Sequence, residues 1–283
     1  MTLTATPGER TAVPAAPGPA GRLRHCAVEA FAVAGRRLRH LRRAPGRFLG
    51  ITLNPLLTML VLGFLLEKSL VVPGGGSYQE YLFAGAAVQG GLAGVGPTAI
   101  AVGSDLKGGI IDRFRSLPVA RSSILLGHTL ADFLVGLAGL VVVTGFGLLL
   151  GWRPHGDVWQ VLLGFALLAA FSYVMLWVGV LFGLASRSLE TISSVTPLVV
   201  TVLPFLSGAF LATENLPAGL RTVAEWNPVS AVAQACRELW GNPVAQGSGL
   251  PAEHPLPVAA LTLGTLLLVS VTLALRRYRS AGG

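Results

Sequence analysis

Six stretches of this chain are continuously apolar over about 20 residues each, the length that a membrane-crossing helix needs. They run Phe48–Leu66, Tyr81–Val102, Ile124–Leu150, Val158–Leu184, Thr191–Leu211 and Pro257–Leu275. A bilayer core is about 30 Å thick and a helix rises about 1.5 Å per residue, so each window can cross. The only acidic or basic side chains inside the windows are His128 and Asp132. A β-barrel would show ten-residue strands of alternating polarity, which these runs do not. The expected fold is an all-α membrane protein with six transmembrane helices. Composition agrees: 52% of the residues are hydrophobic and 12% charged, about half the charge of a soluble domain. That excludes an ordinary water-soluble enzyme and a disordered chain alike.

The basic residues set the expected orientation. With the N-terminus in the cytoplasm, 17 of the 21 lysines and arginines fall on the inner side. Only Lys68, Arg153, Arg221 and Arg237 remain outside. Positive charge gathers on the cytoplasmic side of membrane proteins, so both termini are expected in the cytoplasm. The net charge of +8 is then a matter of topology and does not call for nucleic acid. Residues 1–20, with Pro7, Pro14, Pro17 and Pro19, read as a disordered tail without a secretory signal. Residues 21–46 differ. Leu23, Ala27, Ala30, Phe31, Ala34, Leu38 and Leu41 recur at helical spacing, with Arg22, Arg36, Arg39 and Arg43 largely off that stripe. An amphipathic helix lying on the headgroups fits this pattern better than a solvated arginine run. The transmembrane region is expected over 48–275, with a basic cytoplasmic tail at 276–283.

Two connections carry most of the information. In the cytoplasmic stretch 103–122, Asp105, Lys107, Asp112, Arg113 and Arg115 alternate in sign around Ile110, Ile111, Phe114 and Leu117. Gly108–Gly109 permits a turn, and Pro118 ends a helix near Leu117. A short helix with one charged and one apolar face suits docking of a cytosolic partner; a plain basic loop is the alternative. The external stretch 212–256 is expected to hold a re-entrant pair of helical pieces divided at Asn227–Pro228. Asn215 would cap the first piece, which ends near Trp226. Asn227 would cap the second, with Pro228 at its first position and Gly241–Asn242–Pro243 stopping it. Val229, Val232, Ala233, Cys236, Leu239 and Trp240 share one face of that second piece. Neither piece is long enough to cross.

Catalytic signatures are missing. Lys68 follows Glu67 and Lys107 precedes Gly108, so no phosphate-binding loop exists. No His, Asp or Glu spacing suits a metal, and Ser207 lacks the glycine-led context of a serine nucleophile. Cys26 and Cys236 fall on opposite sides of the expected topology and cannot pair within one chain. His128 and Asp132 lie one helical turn apart, which suits mutual pairing more than a proton path. Asn54, Gln89 and Thr201 are polar groups that must face protein or a cavity. Gly85, Gly90, Gly91, Gly94 and Gly96 permit close helix contact in the second window. Pro97 there, and Pro197 and Pro204 in the fifth, weaken the backbone ladder.

This order of parts resembles the membrane subunits of ABC-2 type exporters, particularly the daunorubicin-resistance-type drug permeases of actinobacteria. The stretch Asp105–Leu130 with Asp112–Arg113–Phe114–Arg115–Ser116–Leu117–Pro118 looks like that family's loop after the second span. Asn227–Pro228 followed by Arg237 and Gly241 looks like its external segment. The resemblance covers roughly residues 22–279. It implies that Asp105, Lys107, Gly108, Asp112, Arg113, Phe114, Arg115, Leu117 and Pro118 form a coupling helix. That helix would dock on a separate cytosolic ATPase, present in two copies, which alone uses ATP and Mg. It further implies a second permease copy, a homodimer enclosing the substrate path, and no cofactor on this chain. Packed about a two-fold, Ser194, Leu198, Thr201, Phe205 and Gly208 of the fifth window would line the path, with Gly85, Gln89 and Gly96 of the second. Such a wall suits a hydrophobic or amphiphilic small molecule. The competing reading is an ATP-independent protein, either a proton-coupled carrier using Asp132 or a non-transporting assembly partner.

Overall fold

A computed structural model describes residues 45–65, 72, 75–107, 121–186, 188–211, 217–244 and 249–280, which are all-helical, without strands. The expected tail, the interfacial helix up to residue 44, the docking segment Gly108–Pro118 and Asn215 itself lie outside the described residues. The helix that Asn215 is expected to cap starts at Ala218, with Pro217 at its N-cap position and no side-chain cap. Helices α1 (Pro45–Leu65), α2 (Tyr78–Leu92), α3 (Val95–Lys107), α4 (Arg121–Leu150) and α5 (Val158–Ala185) come first. They are followed by α6 (Leu189–Phe205), α7 (Ala218–Glu225), α8 (Pro228–Trp240), α9 (Leu250–Glu253) and α10 (Pro255–Ser280).

Among the described residues, five segments are long and apolar enough to cross a membrane: Phe48–Leu65, Tyr78–Leu106, Leu125–Leu149, Val158–Ala185 and Pro255–Tyr278. The fifth window departs from its expected length. Its helix α6 stops at Phe205 after 17 residues, about 25 Å. Pro204 sits in the last turn, and the chain leaves the helix through a tight turn over Leu206–Phe210. The second window departs too, being two helices broken at Ala93–Gly94. Pro97 has no N–H for the Ala93 carbonyl and its ring crowds that position, so the ladder lapses just before it. The 103–122 connection begins and ends in helix, because α3 continues to Lys107 and α4 starts at Arg121.

Helix caps follow the local sequence. Ser77 accepts from the Gln79 N–H at 3.2 Å and Ser188 from the Thr191 N–H at 3.0 Å. Asn227 accepts from the Val229 N–H at 3.0 Å, Pro228 starts α8, and Gly241 closes it at φ 65°. A left-handed residue at that position is where glycine costs least.

Helix α3 packs along α5 and α6, α10 lies on α5, and α2 touches α1, α4, α5 and α8. The α3–α5 contact is a glycine contact. A methyl on Gly179 would meet the Val95 carbonyl oxygen at 2.7 Å, and one on Gly183 the Ala99 oxygen at 2.5 Å. Gly179 and Gly183 are four apart, as are Val95 and Ala99, so two backbones meet along matching ridges. The outward faces of α1, α4 and α10 are apolar, carrying for example Phe64, Val141 and Leu268. Those are surfaces that a bilayer covers.

Candidate functional site

The segment after α6 is held in a polar lattice at the end of the bundle where α2 begins. Ser207 Oγ donates to the Pro204 carbonyl at 2.7 Å and accepts from the Ala209 N–H at 3.1 Å. The Gly208 N–H donates to Ser230 Oγ at 2.9 Å, and that hydroxyl donates onward to the Ala224 carbonyl at the end of α7. Tyr81 on α2 donates its hydroxyl to the Gly208 carbonyl at 3.1 Å. The turn presses directly on α2 at Gly85, where any side chain would run into the Ala209 carbonyl.

Arg237 of α8 sits at the centre of this lattice and is fully buried. Its Nε donates to the Tyr81 carbonyl at 3.0 Å, its Nη1 to Gly208 at 2.8 Å, and its Nη2 to Ala209. The guanidinium carbon lies 3.5 Å from the centre of the Tyr81 ring, a cation–π arrangement. Sequence reasoning counted Arg237 as an outer basic residue. Its spacing from Ala233 and Trp240 does place it on the buried face of α8, and that was the signal to follow.

The rest of α8 is wedged between α2, α5 and α10. Val229, Val232, Ala233, Cys236 and Trp240 are buried, as the sequence face implies, and Leu239 is half-buried. The Trp240 indole rests against Gly164, leaving no room for a side chain there. It joins Phe83, Trp152 and Phe165 in one aromatic cluster with centroid separations of 3.8–6.2 Å. Trp152 Nε1 donates to Asn242 Oδ1 at 2.8 Å. Burial pushes the Cys236 thiol far above the usual thiol range.

The residues expected on a path divide into two groups. On α6, Ser194, Leu198, Thr201 and Phe205 are exposed on one side of the chain, with Gly208 buried. Phe205 is 40% exposed, its ring 5.1 Å from that of Phe210. Asn54 on α1 is half-buried. Gln89, in contrast, is sealed inside the chain with its Oε1 unpartnered among the described residues, and Gly96 is occupied by the Thr196 side chain.

Asp132 is buried and accepts from Thr98 Oγ1 at 2.6 Å, which ties α4 to α3. Both line a narrow crevice between α1, α2, α3, α4 and α5, together with Ile51, Gly90, Gly136 and Ser172. The His128 side chain is outside the described set. Of the expected docking residues, Asp105 is half-buried on the last turn of α3 and Lys107 ends that helix. Gly108, Asp112, Arg113, Phe114, Arg115, Leu117 and Pro118 are not among the described residues.

The sequence profile of the ABC-2 type transporter family matches residues 29–239, which takes in every helix from α1 to α7 and nearly all of α8. The chain is also similar to the daunorubicin resistance ABC transporter permease protein DrrB1 of Streptomyces coeruleorubidus. The two are 30% identical over 212 residues, covering 71% of this chain and 74% of that protein.

Proposed function

The chain belongs to the ABC-2 type transporter family, and on that premise we propose that it is the permease half of an exporter powered by a separate cytosolic ATPase. Members of this family are multi-pass membrane subunits of ABC transporters and are not catalysts themselves. In the proposed assembly two copies of the chain pair with two copies of the ATPase, which bind ATP and Mg. Six crossings are completed by α6 together with the turn that follows it, and both termini face the cytoplasm. The charge asymmetry of the connections supports that orientation.

The observation that carries the reading is the free face of α6. Ser194, Leu198, Thr201 and Phe205 are exposed on it, giving a mostly apolar wall with two hydroxyls. Facing a second copy, that wall suits a hydrophobic or amphiphilic cargo. The similarity to a protein named for daunorubicin resistance supports a drug-like cargo over a hydrated one. Asn54 on α1 would border that path only where the second copy brings α1 beside α6, whereas Gln89 would reach it only in another arrangement of α2.

The docking segment enters the bundle directly through α3. Asp105 and Lys107 lie on the last turn of α3, and that helix packs on both α5 and α6. A push on Gly108–Pro118 therefore has a short path to the proposed wall. The test is ATP turnover by the reconstituted permease–ATPase complex. Phe114→Ala and Arg115→Glu should abolish cargo-stimulated turnover while the permease stays folded and membrane-inserted. Full stimulation in both variants would remove this segment as the coupling element.

A further inference from the structure

We infer that Arg237 is a positioning residue that makes the outer end of α6 follow α2, an inference that rests on the exporter reading above. The side chain joins three separate parts of the chain. Its own helix is α8, its Nε holds the Tyr81 carbonyl of α2, and its two terminal nitrogens hold Gly208 and Ala209 of the turn after α6. Tyr81 closes the triangle by donating its hydroxyl to the same Gly208 carbonyl at 3.1 Å.

Stability alone does not account for a cation here. Arg237 is fully exposed to the cost of burial, and none of its described contacts is a carboxylate. Burying a charge against neutral carbonyls is expensive, and a well-packed apolar side chain would seal the same space at least as well. What an apolar side chain cannot do is fix the relative position of two backbones. A planar guanidinium with donors in a fixed fork does that, because all three carbonyls must keep their mutual geometry to be satisfied together.

The elements it joins are those that would have to move together. Helix α2 continues into α3 across the Ala93–Gly94 break, and α3 leads into the connection proposed to meet the ATPase. The turn at 206–210 ends the helix whose free face is proposed as the cargo wall. Gly85 lets the turn lie directly on α2 one helical turn beyond Tyr81, so the two backbones are already in contact. Arg237 locks that contact from the α8 side. Shifting α2 without the turn would strand a buried charge, so the turn follows.

The test uses the permease co-expressed with its ATPase in nanodiscs, by hydrogen–deuterium exchange with and without ATP trapped by vanadate. In the parent, trapping should change exchange at residues 81–85 and at 206–211 together. Arg237→Lys keeps the charge but cannot span three carbonyls. It should keep the response at 81–85 while that at 206–211 falls at least threefold, with the thermal midpoint of the complex showing that the fold persists. A purely structural role would raise exchange throughout α8 and leave the two responses in step. If residues 206–211 of Arg237→Lys respond as in the parent, the inference is overturned. Should that variant not fold, Tyr81→Phe, which removes only the hydroxyl link, decides by the same rule with an expected twofold fall. A parent in which trapping changes nothing sinks the exporter reading and this inference together. A parental response that both variants preserve sinks the inference alone.

Discussion

Replacing Gly179 by alanine sets two well-understood effects against each other, and the structure decides the sign. Alanine is favoured over glycine inside a helix by about 1 kcal/mol, so helix propensity alone makes Gly179→Ala stabilising. The added methyl would lie 2.7 Å from the Val95 carbonyl oxygen, and the equivalent methyl in Gly183→Ala 2.5 Å from that of Ala99. Heavy atoms pack best at about 3.5 Å or more, so α3 and α5 would have to separate by a large fraction of an ångström. Neither obstacle is a side chain that can turn aside. Overpacking of this kind costs about 1–3 kcal/mol, which leaves each variant destabilised by up to about 2 kcal/mol after the propensity gain. The double variant strains one shared contact, so its effect should fall short of the sum. Gly145 and Gly264 provide the control, because nothing lies within 4 Å of a methyl added at either. Thermal or denaturant unfolding in nanodiscs should rank Gly179→Ala and Gly183→Ala below the parent and the two controls at or above it. If all four variants gain stability equally, propensity governs and the close α3–α5 approach is not a constraint.

Other perturbations follow from the same geometry. An impermeant maleimide should label Cys236 at least about tenfold more slowly than a Thr222→Cys reference, since the thiol is buried and its pKa is raised; equal rates would place α8 in solvent. Asn227→Ala removes the cap at the Val229 N–H and should cost about 1 kcal/mol in unfolding measurements, whereas no loss would mean that Pro228 alone sets the start of α8. Thr201→Val and Phe205→Ala should alter the relative apparent affinities of exported compounds, read from concentration–response curves in cells. Unchanged curves for every compound would place the path away from α6.

The apolar windows and the turn chemistry were legible because each depends on local sequence. Asn227–Pro228 and Gly241 bound α8 where the residues say they should, since cap geometry is decided within four residues. The break at Ala93–Gly94 is equally local. Pro97 announces it, but an apolar window of 22 residues hides it by satisfying the length criterion regardless. What was not legible depends on partners far along the chain. Gly85, Gln89 and Gly96 share a side, yet spacing cannot say whether that side meets a cavity or the chain itself. It meets the Ala209 carbonyl and the Thr196 side chain. The four-residue spacing of Gly179 and Gly183 permits a close helix contact, but nothing local names α3 as the partner. Arg237 was hardest, because a basic residue in an external stretch ordinarily belongs to the wet rim.

The two sides of α3 differ in a way that bears on how force would travel. Toward α5 the contacts are backbone on backbone, at Val95 and Ala99, and such a contact has no soft coordinate to yield. Toward α6 the close approaches of Gly96 and Gly103 are to side-chain atoms of Thr196, Ile192 and Leu189, which give by small shifts more readily than a backbone carbonyl does, although the two β-branched residues are stiff at χ1. A displacement of α3 would therefore carry α5 with it and slide along the inner part of α6. At the other end α6 has no such freedom, because Tyr81 and Arg237 fasten the turn that follows it to α2. A helix that slides at one end and is held at the other can only tilt about the held end. The tilt would sweep Leu198 and Thr201 further than Phe205, which lies next to the pin. On the proposed function, a cargo wall built this way would open first at the Leu189 end of α6, and the turn at 206–210 would yield only when α2 itself moves.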